Sequence, residues 1–320
     1  MTGTAPAPQP ANAGEGPVVL AVDVGGTHLK AGVMGADGTL GMILRRDTPR
    51  DSGDPGEAVI AGLAALLADE ELALGRPVEA IGLTVPGIVD ERRGVGIRST
   101  NLGWTDFPFR DRAAQATGRP VALAHDVRAA GDAEHRLGAA RGAQDVAIVT
   151  IGTGIAAALI LDGTPYVGRG YAGELGHTVV DPAGPICRCG RTGCLEAIAS
   201  ARAIADRYRS ESADQGADAA LVLARAAAGD ELAGRVWADA VHALAVGLDQ
   251  LAALVAPELI VIGGGLSEAG EQLMAPLRTR FAALRGSEPA PALVRAELGQ
   301  DAGTWGAALA ARDLLAGLPR

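Results

Sequence analysis

Short runs of aliphatic and β-branched residues alternate along the chain with longer stretches rich in alanine and leucine. The short runs predict buried strands and the long stretches predict helices. The predicted strands are Val18–Val24, Leu29–Met34, Ala80–Val85, Val121–Ala124, Val146–Ile151, Ile155–Leu161, Glu258–Ile262 and Ala292–Ala296. The predicted helices are Pro55–Leu74, Val127–Leu137, Ser200–Arg209, Ala217–Gly229, Glu231–Val255, one that begins at Ser267, and Gly303–Leu315. This alternation is typical of an α/β fold.

One strand–turn–strand pattern occurs twice, 127 residues apart. The run LAVDV ends in Gly25-Gly26-Thr27, and the run AIVTI ends in Gly152-Thr153-Gly154. Glycine turns allow a phosphate to approach backbone N–H groups, although each turn alone also fits an ordinary hairpin. Neither turn is a Walker A loop or a dinucleotide fingerprint, because no Gly-Lys-Ser/Thr follows and the next element is a strand. The repetition favours a duplicated domain with two phosphate-binding hairpins.

Other candidate cleft residues stand where a predicted strand ends. Asp23 lies near the end of the first strand, and Gly263-Gly264-Gly265 lies between a late strand and a helix. The three glycines fit either a nucleotide passing over a helix N-terminus or a flexible turn. Asp126 follows His125 at a strand-to-helix junction, where it could cap the helix, face the cleft, or do both.

The segment GELGHTVVDPAGPICRCGRTGCLE contains all three cysteines of the chain. Its candidate metal ligands are His177, Cys187, Cys189 and Cys194. One imidazole and three thiols match a closed tetrahedral zinc site, which leaves no position for a catalytic water. Buried thiols without a metal are the alternative, whereas a disulfide is disfavoured because three cysteines cannot all pair and a Cys-x-Cys bridge is strained. We therefore predict a structural zinc ion.

Several polar residues near these motifs could bind a polyol. Glu174 and Glu196 flank the metal ligands, and each is either a solvated surface carboxylate or a partner for sugar hydroxyls. Gly87 follows a predicted strand in the motif VPGIVD. Asn101 lies in the predicted loop NLGW, as a turn residue or as a further hydroxyl partner.

Composition narrows the possible classes of protein. A length of 320 residues predicts about two domains, and an aromatic content of 3% requires an aliphatic core. The formal net charge of −10 argues against a nucleic-acid-binding face or an anionic membrane surface. Residues 1–16 lack the features of a signal peptide and predict a disordered leader, and no uninterrupted apolar run predicts a membrane span. Free thiols then favour the cytoplasm.

These motifs in this order resemble the ROK family of sugar kinases and sugar-responsive repressors. The resemblance extends from about Val18 to Leu315 and is most specific in the cysteine segment. It implies an α/β fold of the actin-like, ribonuclease H-like ATPase type, with two lobes around a cleft and a duplicated βββαβα core. The implied small lobe comprises residues 17–123 and 300–320, and the implied large lobe, 124–299, carries the zinc site.

The resemblance also implies roles for individual residues. Asp126 would be the general base that accepts the proton of the sugar 6-hydroxyl. The implied sugar contacts are Gly87, Asn101, His125, Asp126, Glu174, His177 and Glu196. The implied contacts of ATP and its Mg²⁺ are Asp23, Gly25, Gly26, Thr27, Gly152, Thr153, Gly154, Gly263, Gly264 and Gly265. The implied activity is ATP-dependent phosphorylation of a hexose, foremost glucose, by a homodimer or homotetramer.

Two departures from the family pattern leave other functions open. The family usually has Asn-Asp where this chain has His125-Asp126, and it has more glycines where this chain has Ala156-Ala157-Ala158. The histidine could change the sugar preference, and the alanine methyl groups would crowd a phosphate. The alternatives are a non-catalytic sugar sensor and a kinase for N-acetylated amino sugars, mannose or fructose. A leader rich in proline, alanine and glycine argues against a DNA-binding helix-turn-helix.

Overall fold

The protein is built from thirteen strands and nine α-helices in the residues that the structure, a computed structural model, describes: 11–49 and 53–318. The strands are β1 (Val19–Val24), β2 (His28–Met34), β3 (Leu44–Asp47), β4 (Ala80–Val85), β5 (Ile88–Asp90), β6 (Val95–Arg98), β7 (Thr105–Phe107), β8 (Val121–His125), β9 (Val146–Ile151), β10 (Ile155–Leu161), β11 (Thr164–Tyr166), β12 (Leu259–Gly263) and β13 (Ala292–Arg295). The helices are α1 (Pro55–Leu74), α2 (Phe109–Thr117), α3 (Asp126–Leu137), α4 (Leu195–Ala199), α5 (Ala201–Glu211), α6 (Ala219–Ala227), α7 (Glu231–Val255), α8 (Glu271–Arg285) and α9 (Ala302–Ala316).

Two five-stranded sheets have the same topology. The first has the order β3-β2-β1-β4-β8 and the second the order β11-β10-β9-β12-β13. In each sheet three antiparallel strands come first in the chain, and two strands parallel to the central one follow. The repeated strand–turn–strand pattern of the sequence therefore corresponds to β1–β2 and β9–β10, the equivalent hairpins of a duplicated α/β core.

Helices α3 and α9 lie between the two sheets, and glycines allow each layer to approach the next. A Cβ on Gly82 of β4 would lie 1.8 Å from a carbonyl oxygen of α9, and one on Gly306 of α9 would lie 2.0 Å from Ala129 O of α3. A Cβ on Gly131 of α3 would lie 2.2 Å from the Ala158 Cβ of β10. The order of layers is therefore the first sheet, α9, α3 and the second sheet.

Two large aliphatic cores stabilise the two halves. The outer face of the first sheet packs on α1 and on the small sheet β5-β6-β7, which is an insertion between β4 and β8. The second core is centred on α7, where an apolar stripe is buried within the chain: Val236, Ala240, Leu244, Gly247 and Leu251. That stripe therefore belongs to the core.

Helix α7 is also the one described helix whose length and composition would suit a membrane span. Half of its apolar window is buried inside the protein. It packs against α4, α5, α6 and α8, as a central helix of a folded domain does. Its apolar character is explained by this packing.

The predicted elements match the observed ones closely, with a few exceptions. Strands β3, β5–β7 and β11 and helices α2 and α4 were not predicted, because their polar or very short sequences carry little periodicity. The helix expected from Ser267 begins instead at Glu271, after a 3-10 turn over Gly265–Ala269. The expected boundary after residue 123 falls inside β8, whose pairing with β4 continues to His125.

The predicted leader, residues 1–16, lies partly outside the described residues, which begin at residue 11. Ala13 N donates to Gly38 O, and Gly16 N donates to Ala36 O. The Arg312 guanidinium of α9 donates to the carbonyl oxygens of Gly14 and Pro17. These hydrogen bonds attach residues 13–17 to the fold.

Candidate active site

Both glycine hairpins and the triple glycine face one cavity between the two sheets. Its volume is about 330 Å³. Of the predicted nucleotide residues, those that line it are Asp23, Gly25, Thr27, Gly152, Thr153, Gly263, Gly264 and Gly265. Asp126, the predicted base, lines the same cavity. Tertiary structure therefore brings together motifs that are far apart in the chain.

The glycines of these turns serve two purposes. A Cβ on Gly264, which has a φ of 79°, would lie 2.6 Å from Ile151 backbone atoms, so this glycine is required by the fold. A Cβ on Gly26, Gly152 or Gly265 would meet no protein atom within 4 Å. At those three positions the fold tolerates a side chain, and an approaching ligand is the remaining physical reason for glycine.

Asp23 is held at the end of β1 by neighbours that the sequence analysis missed. The Thr84 hydroxyl of β4 donates to Asp23 Oδ1 at 2.7 Å. Burial raises the pKa of Asp23, while Thr84 and the Lys30 ammonium group lower it. Lys30 lines the cavity, donates to Gln300 O and lies 3.8 Å from Asp301. These positions are close only in the folded chain, since β1, β2 and β4 are adjacent in the sheet.

Asp126 stands at the first position of α3, where β8 ends. Its Oδ1 accepts from Val127 N at 2.8 Å. Burial, and after it the charge of Asp23, raises the pKa of Asp126 to about 7, against the opposing effects of the Val127 N–H and the Arg128 guanidinium. A carboxyl group with a pKa near neutrality is suited to accept a proton in a reaction at physiological pH.

His125 is buried beside Asp126. Its Nδ1 accepts from Arg128 N at 3.3 Å, which makes His125 the N-cap of α3. Its Nε2 lies 3.3 Å from Asp126 Oδ1. Both ring nitrogens therefore have neighbours within the protein, and the predicted contact of His125 with the sugar stays a prediction.

Arg128 and Glu91 connect α3 with two loops around this position. Arg128 Nε donates to Glu91 Oε1 at 2.9 Å, and its other nitrogens donate to Val89 O and Gly170 O. Glu91 Oε1 also accepts from His125 N at 2.9 Å. The ion pair is largely buried, and it fixes the backbone on which Asp126 stands.

Three of the predicted sugar residues converge next to the second hairpin. Glu196 Oε2 accepts from Ile155 N at 3.0 Å, and His177 Nε2 lies 3.8 Å from Glu174 Oε2. Burial raises the pKa of Glu174, His177 lowers it and the charge of Glu196 raises it again, since all three are close. The charge of Glu174 also raises the pKa of Asp126, so this cluster faces the predicted base.

Gly154 has other surroundings than Gly25 and Gly152. Like Gly26, it does not line the cavity, and a Cβ there would lie 2.5 Å from Glu196 Oε2. Its close approach is therefore to a predicted sugar residue. A contact between Gly154 and ATP stays a prediction.

The two remaining predicted sugar residues lie on neighbouring loops of the first half. Gly87, between β4 and β5, has a φ of 103°, and a Cβ there would lie 2.2 Å from Arg98 O. Asn101 is exposed in the loop that follows β6. The packing of Gly87 against Arg98 brings these two loops together, and the sugar contacts of both residues stay predictions.

The alanines that replace the expected glycines do not reach the cavity. Ala157 and Ala158 point to opposite faces of β10 and are buried in two different core clusters. Ala156 is paired with Thr150 of β9 and does not line the cavity. The methyl groups of Ala157 and Ala158 therefore pack in the core, and crowding of a phosphate at this position stays a prediction.

The four predicted metal ligands meet at one point. Their ligand atoms all lie within 4.8 Å of one another. Cys187 Sγ lies 3.8 Å from His177 Nδ1, and Cys189 Sγ lies 3.6 Å from Cys194 Sγ. A tetrahedral zinc ion with Zn–S bonds of about 2.3 Å requires sulfur atoms about 3.8 Å apart, so the donor set fits such an ion.

Local turns of the cysteine segment create this arrangement. Gly190 and Gly193 adopt φ values of 89° and 74°. A Cβ on Gly193 would lie 1.6 Å from Asp181 O, so the loop closes only with glycine there. The Nδ1 atom of His177 faces the cysteines and its Nε2 atom faces Glu174, which connects the predicted metal ligands with the predicted sugar residues.

Comparison with known proteins identifies the family. The family model of the ROK family matches residues 19–313. The chain belongs to the ROK family. The ROK glucokinase from Streptomyces griseus, solved in complex with glucose and AMPPNP, has a TM-score of 0.82 and 31% identity, covering 92% of this chain and 99% of that chain. This ROK likeness and the paired sheets show the actin-like ATPase fold.

Curated ROK relatives act on different sugars. The glucokinase of Thermotoga maritima is 34% identical over 316 residues, covering 93% of this chain and 98% of its own length. The N-acetylmannosamine kinase of Escherichia coli O157:H7 is 36% identical over 299 residues, covering 92% and 98%. Similarity to these enzymes therefore indicates a sugar kinase without selecting the sugar.

Proposed function

We propose that this protein is a sugar kinase that transfers the γ-phosphoryl group of ATP to the 6-hydroxyl of a hexose, foremost glucose. The observation that carries the proposal is the single cavity shared by both hairpins, the triple glycine and Asp126. Phosphoryl transfer needs positioning and neutralisation of charge more than covalent chemistry by the protein. A cavity with phosphate-approachable glycines on both sides and one carboxylate base supplies the positioning.

In the proposed mechanism the two halves of the cavity have separate tasks. The turns Gly25–Thr27 and Gly152–Thr153 hold the phosphates through backbone N–H groups and threonine hydroxyls. Asp23 lies where a Mg²⁺ bound to the phosphates would be held, and that ion would neutralise their developing charge. Glu174, His177 and Glu196 orient the sugar hydroxyls.

Asp126 accepts the proton of the attacking hydroxyl. Its raised pKa keeps the group protonated below about pH 7 and ionised above it. The base form therefore becomes available as pH rises through neutrality, and kcat/KM should rise over the same interval. The neighbouring Arg128 limits the shift and helps to keep the ionised form accessible.

We propose zinc as the ion of the cysteine cluster, in a structural role. All four tetrahedral positions are filled by side chains, so no position is left for a reacting water. The ion would fix His177, and through it Glu174, against the sugar. Free thiols at this site require a reducing compartment, and we therefore place the enzyme in the cytoplasm.

A substrate panel tests the proposal. ADP formation is measured with glucose, mannose, fructose, N-acetylglucosamine and N-acetylmannosamine at saturating ATP. We expect sugar-dependent ADP release, with the highest kcat/KM for glucose. If none of these sugars causes ADP release, the proposed kinase activity is contradicted. A preference for N-acetylmannosamine would select the second candidate, an N-acetylmannosamine kinase, which the similarity to the E. coli relative favours.

A non-catalytic sugar sensor is the remaining alternative, and calorimetry separates it from the kinase. A sensor would bind a sugar without forming ADP. A homodimer or homotetramer is part of the proposal, and light scattering of the purified protein tests it. The buried stripe of α7 takes no part in such a contact, whereas the exposed side of the helix, which includes Leu254, remains our candidate contact.

A further inference from the structure

The Arg128 guanidinium of α3 is hydrogen-bonded to two other segments of the chain. Its Nε donates to Glu91 Oε1 at 2.9 Å, its Nη1 to Gly170 O at 3.4 Å and its Nη2 to Val89 O at 3.2 Å. The Arg128 side chain is 9% exposed and does not line the cavity. Its contribution to the site therefore acts through the segments that it holds and through its charge.

Each of the three segments that meet at Arg128 carries a residue proposed to act on the sugar. Asp126 lies two residues before Arg128, at the start of α3. Strand β5 begins directly after Gly87. The turn at residues 168–170 ends four residues before Glu174. The hydrogen bonds of one side chain therefore help to set the relative positions of all three.

The turn that contains Gly170 is held from both sides. A Cβ on Gly170, which has a φ of 87°, would lie 3.1 Å from Val89 O, so the turn packs closely on β5. Gly173 O accepts from Ala157 N of β10 at 2.7 Å. Strand β5 belongs to the small sheet of the first half, and β10 belongs to the second sheet. The turn, with the guanidinium bound to it, therefore connects the two halves next to Glu174.

We propose that Arg128 is a positioning residue of the sugar site. Its three hydrogen bonds hold together the segments that carry Gly87, Asp126 and Glu174, so that the site has its binding geometry before the sugar arrives. The inference rests on the proposed function, because it assumes that these three residues act on a hexose. It adds to that function a residue that neither motif nor cavity had singled out.

The charge of the guanidinium also reaches the proposed base. Burial and then the charge of Asp23 on β1 raise the pKa of Asp126, and Glu174 beside the metal segment adds to this. The guanidinium opposes them, while Lys30 on β2 lines the same cavity. The adjacent His125 stays neutral, since burial lowers its pKa to about 3. Loss of the guanidinium charge should therefore raise the pKa of Asp126.

Two variants separate the hydrogen bonds of Arg128 from its charge. Arg128→Lys keeps the charge, but a single ammonium group cannot replace a planar guanidinium that binds three oxygen atoms. Arg128→Gln alone would leave the largely buried Glu91 without its partner and could unfold the protein. The second variant is therefore the double substitution Arg128→Gln/Glu91→Gln, which leaves no unpaired charge. Its amide oxygen at position 91 can still accept from His125 N.

The matched control lies in the same loop as Glu91. Arg93 forms an ion pair with Asp90 at 3.9 Å, and its side chain is 70% exposed. Arg93→Gln removes one arginine charge close to the same strand without touching the three segments that Arg128 holds. An exposed pair of this kind contributes little to stability, so this variant should behave as the wild type does.

Steady-state kinetics with the sugar and with ATP are the first readout. We expect Arg128→Lys and the double variant to lose about 10-fold to 100-fold in kcat/KM for the sugar, because misplaced binding groups are costly. The KM for ATP should change less than about twofold, since the three hydrogen bonds go to segments other than the glycine hairpins. A purely structural role would lower the Tm and the active fraction while leaving both KM values unchanged. That result, or an equal rise of both KM values, would overturn the proposal.

The pH dependence of kcat/KM distinguishes the charge from the hydrogen bonds. The acid limb should move upward by about half to one unit in the double variant, which lacks the guanidinium charge. Arg128→Lys should keep the wild-type limb although its kcat/KM for the sugar is low. Wild-type kcat/KM for the sugar in Arg128→Lys would show that the hydrogen bonds have no positioning role and would overturn the proposal.

Calorimetric titration with glucose supplies a readout that does not depend on turnover. The Kd for glucose should rise about tenfold or more in Arg128→Lys and in the double variant, and it should stay at the wild-type value in Arg93→Gln. Weakened binding in a protein that releases no ADP with any sugar would overturn only the proposed function. An unchanged Kd in both Arg128 variants of an active kinase would overturn only this inference.

Discussion

At the scale of single residues, the site is governed by a carboxyl group that the fold makes costly to ionise. Asp126 is enclosed between β8 and α3 and lies near Asp23 and Glu174. An isolated aspartate is ionised at neutral pH, whereas this one is poised to exchange a proton there. The same burial that raises its pKa also costs stability.

Asp126→Asn should remove activity and increase stability together. We expect kcat to fall by about 10²–10⁴. The folded protein keeps the Asp126 proton between about pH 4 and 7 while the unfolded chain has lost it, so the free energy of unfolding falls as pH rises through that window.

The neutral asparagine avoids that loss, so at pH 8 the variant should be about 1 kcal/mol more stable, or about 2 °C higher in Tm. Steady-state turnover and calorimetry measure the two effects. Asp69→Asn, at an exposed ion pair with Arg46, is the control. Full activity of Asp126→Asn would exclude the general-base role.

Two glycines of the second hairpin provide a matched test of the two subsites. A Cβ on Gly152 meets no protein atom, so Gly152→Ala should fold normally and raise the KM for ATP. A Cβ on Gly154 collides with Glu196, so Gly154→Ala should raise the sugar KM instead. We expect changes of about tenfold, equivalent to about 1.4 kcal/mol of binding free energy. If each variant changed the KM for ATP and the KM for the sugar equally, the assignment of Gly152 to the ATP subsite and Gly154 to the sugar subsite would be contradicted.

At the scale of elements, the cysteine segment contains little regular secondary structure. It contains one 3-10 turn, isolated bridges and the start of α4, and few apolar side chains stabilise it. A bound ion would contribute the cross-link that a hydrophobic core supplies elsewhere. Its removal should therefore disorder this segment first.

Metal removal should reveal that dependence. Elemental analysis of the purified protein should find about one zinc per chain, and a strong chelator should lower both that ratio and the Tm. Limited proteolysis should then cut between residues 182 and 193 before any other site. Gly193→Ala should lower the zinc content and the Tm without any chelator, because its Cβ would collide with Asp181 O. Protein that lacks metal yet resists proteolysis there would contradict the structural role.

At the scale of the whole molecule, the cavity exists because α3 and α9 hold the two sheets at a fixed distance. We call the contact between α3 and the segment that precedes α9 the joint. Glu134 of α3, which is 1% exposed, stabilises it. Its carboxylate accepts from Ala139 N, Glu297 N and Leu298 N, at 2.9, 3.2 and 2.7 Å. The Glu134 side chain thus connects α3 with the segment that precedes α9.

Glu134→Ala should weaken the joint strongly. Three backbone N–H groups would lose their acceptor, so we expect the free energy of unfolding to fall by about 2–4 kcal/mol. Glu134→Gln keeps one acceptor oxygen. Its free energy of unfolding, measured by chemical denaturation, should therefore lie between those of the alanine variant and the wild type. Glu57→Ala, at an exposed pair with Arg112, should change stability by less than about 0.5 kcal/mol and serves as the control. A similar loss in both alanine variants would contradict the role of the joint.

Much of this architecture was predictable because the informative signals are local. The strands of both hairpins, helices α1 and α7 and the metal ligands were found from apolar runs, periodicity and the spacing of Cys187, Cys189 and Cys194. Turn glycines and thiols impose their geometry on the nearest few residues. The small sheet β5-β7 was missed because its strands have three or four residues and gain their stability from packing on the first half.

The sequence by itself determined the duplicated α/β core, the cluster of His177 with the three cysteines, and the presence of two glycine hairpins. Only the tertiary structure decided that the hairpins share a cavity with Asp126, that Ala157 and Ala158 face the core, and that Thr84 and Lys30 reach Asp23. The same is true of His125, whose Nδ1 accepts from Arg128 N. Local patterns record what the backbone does nearby, whereas desolvation and charge depend on which distant segments are packed together.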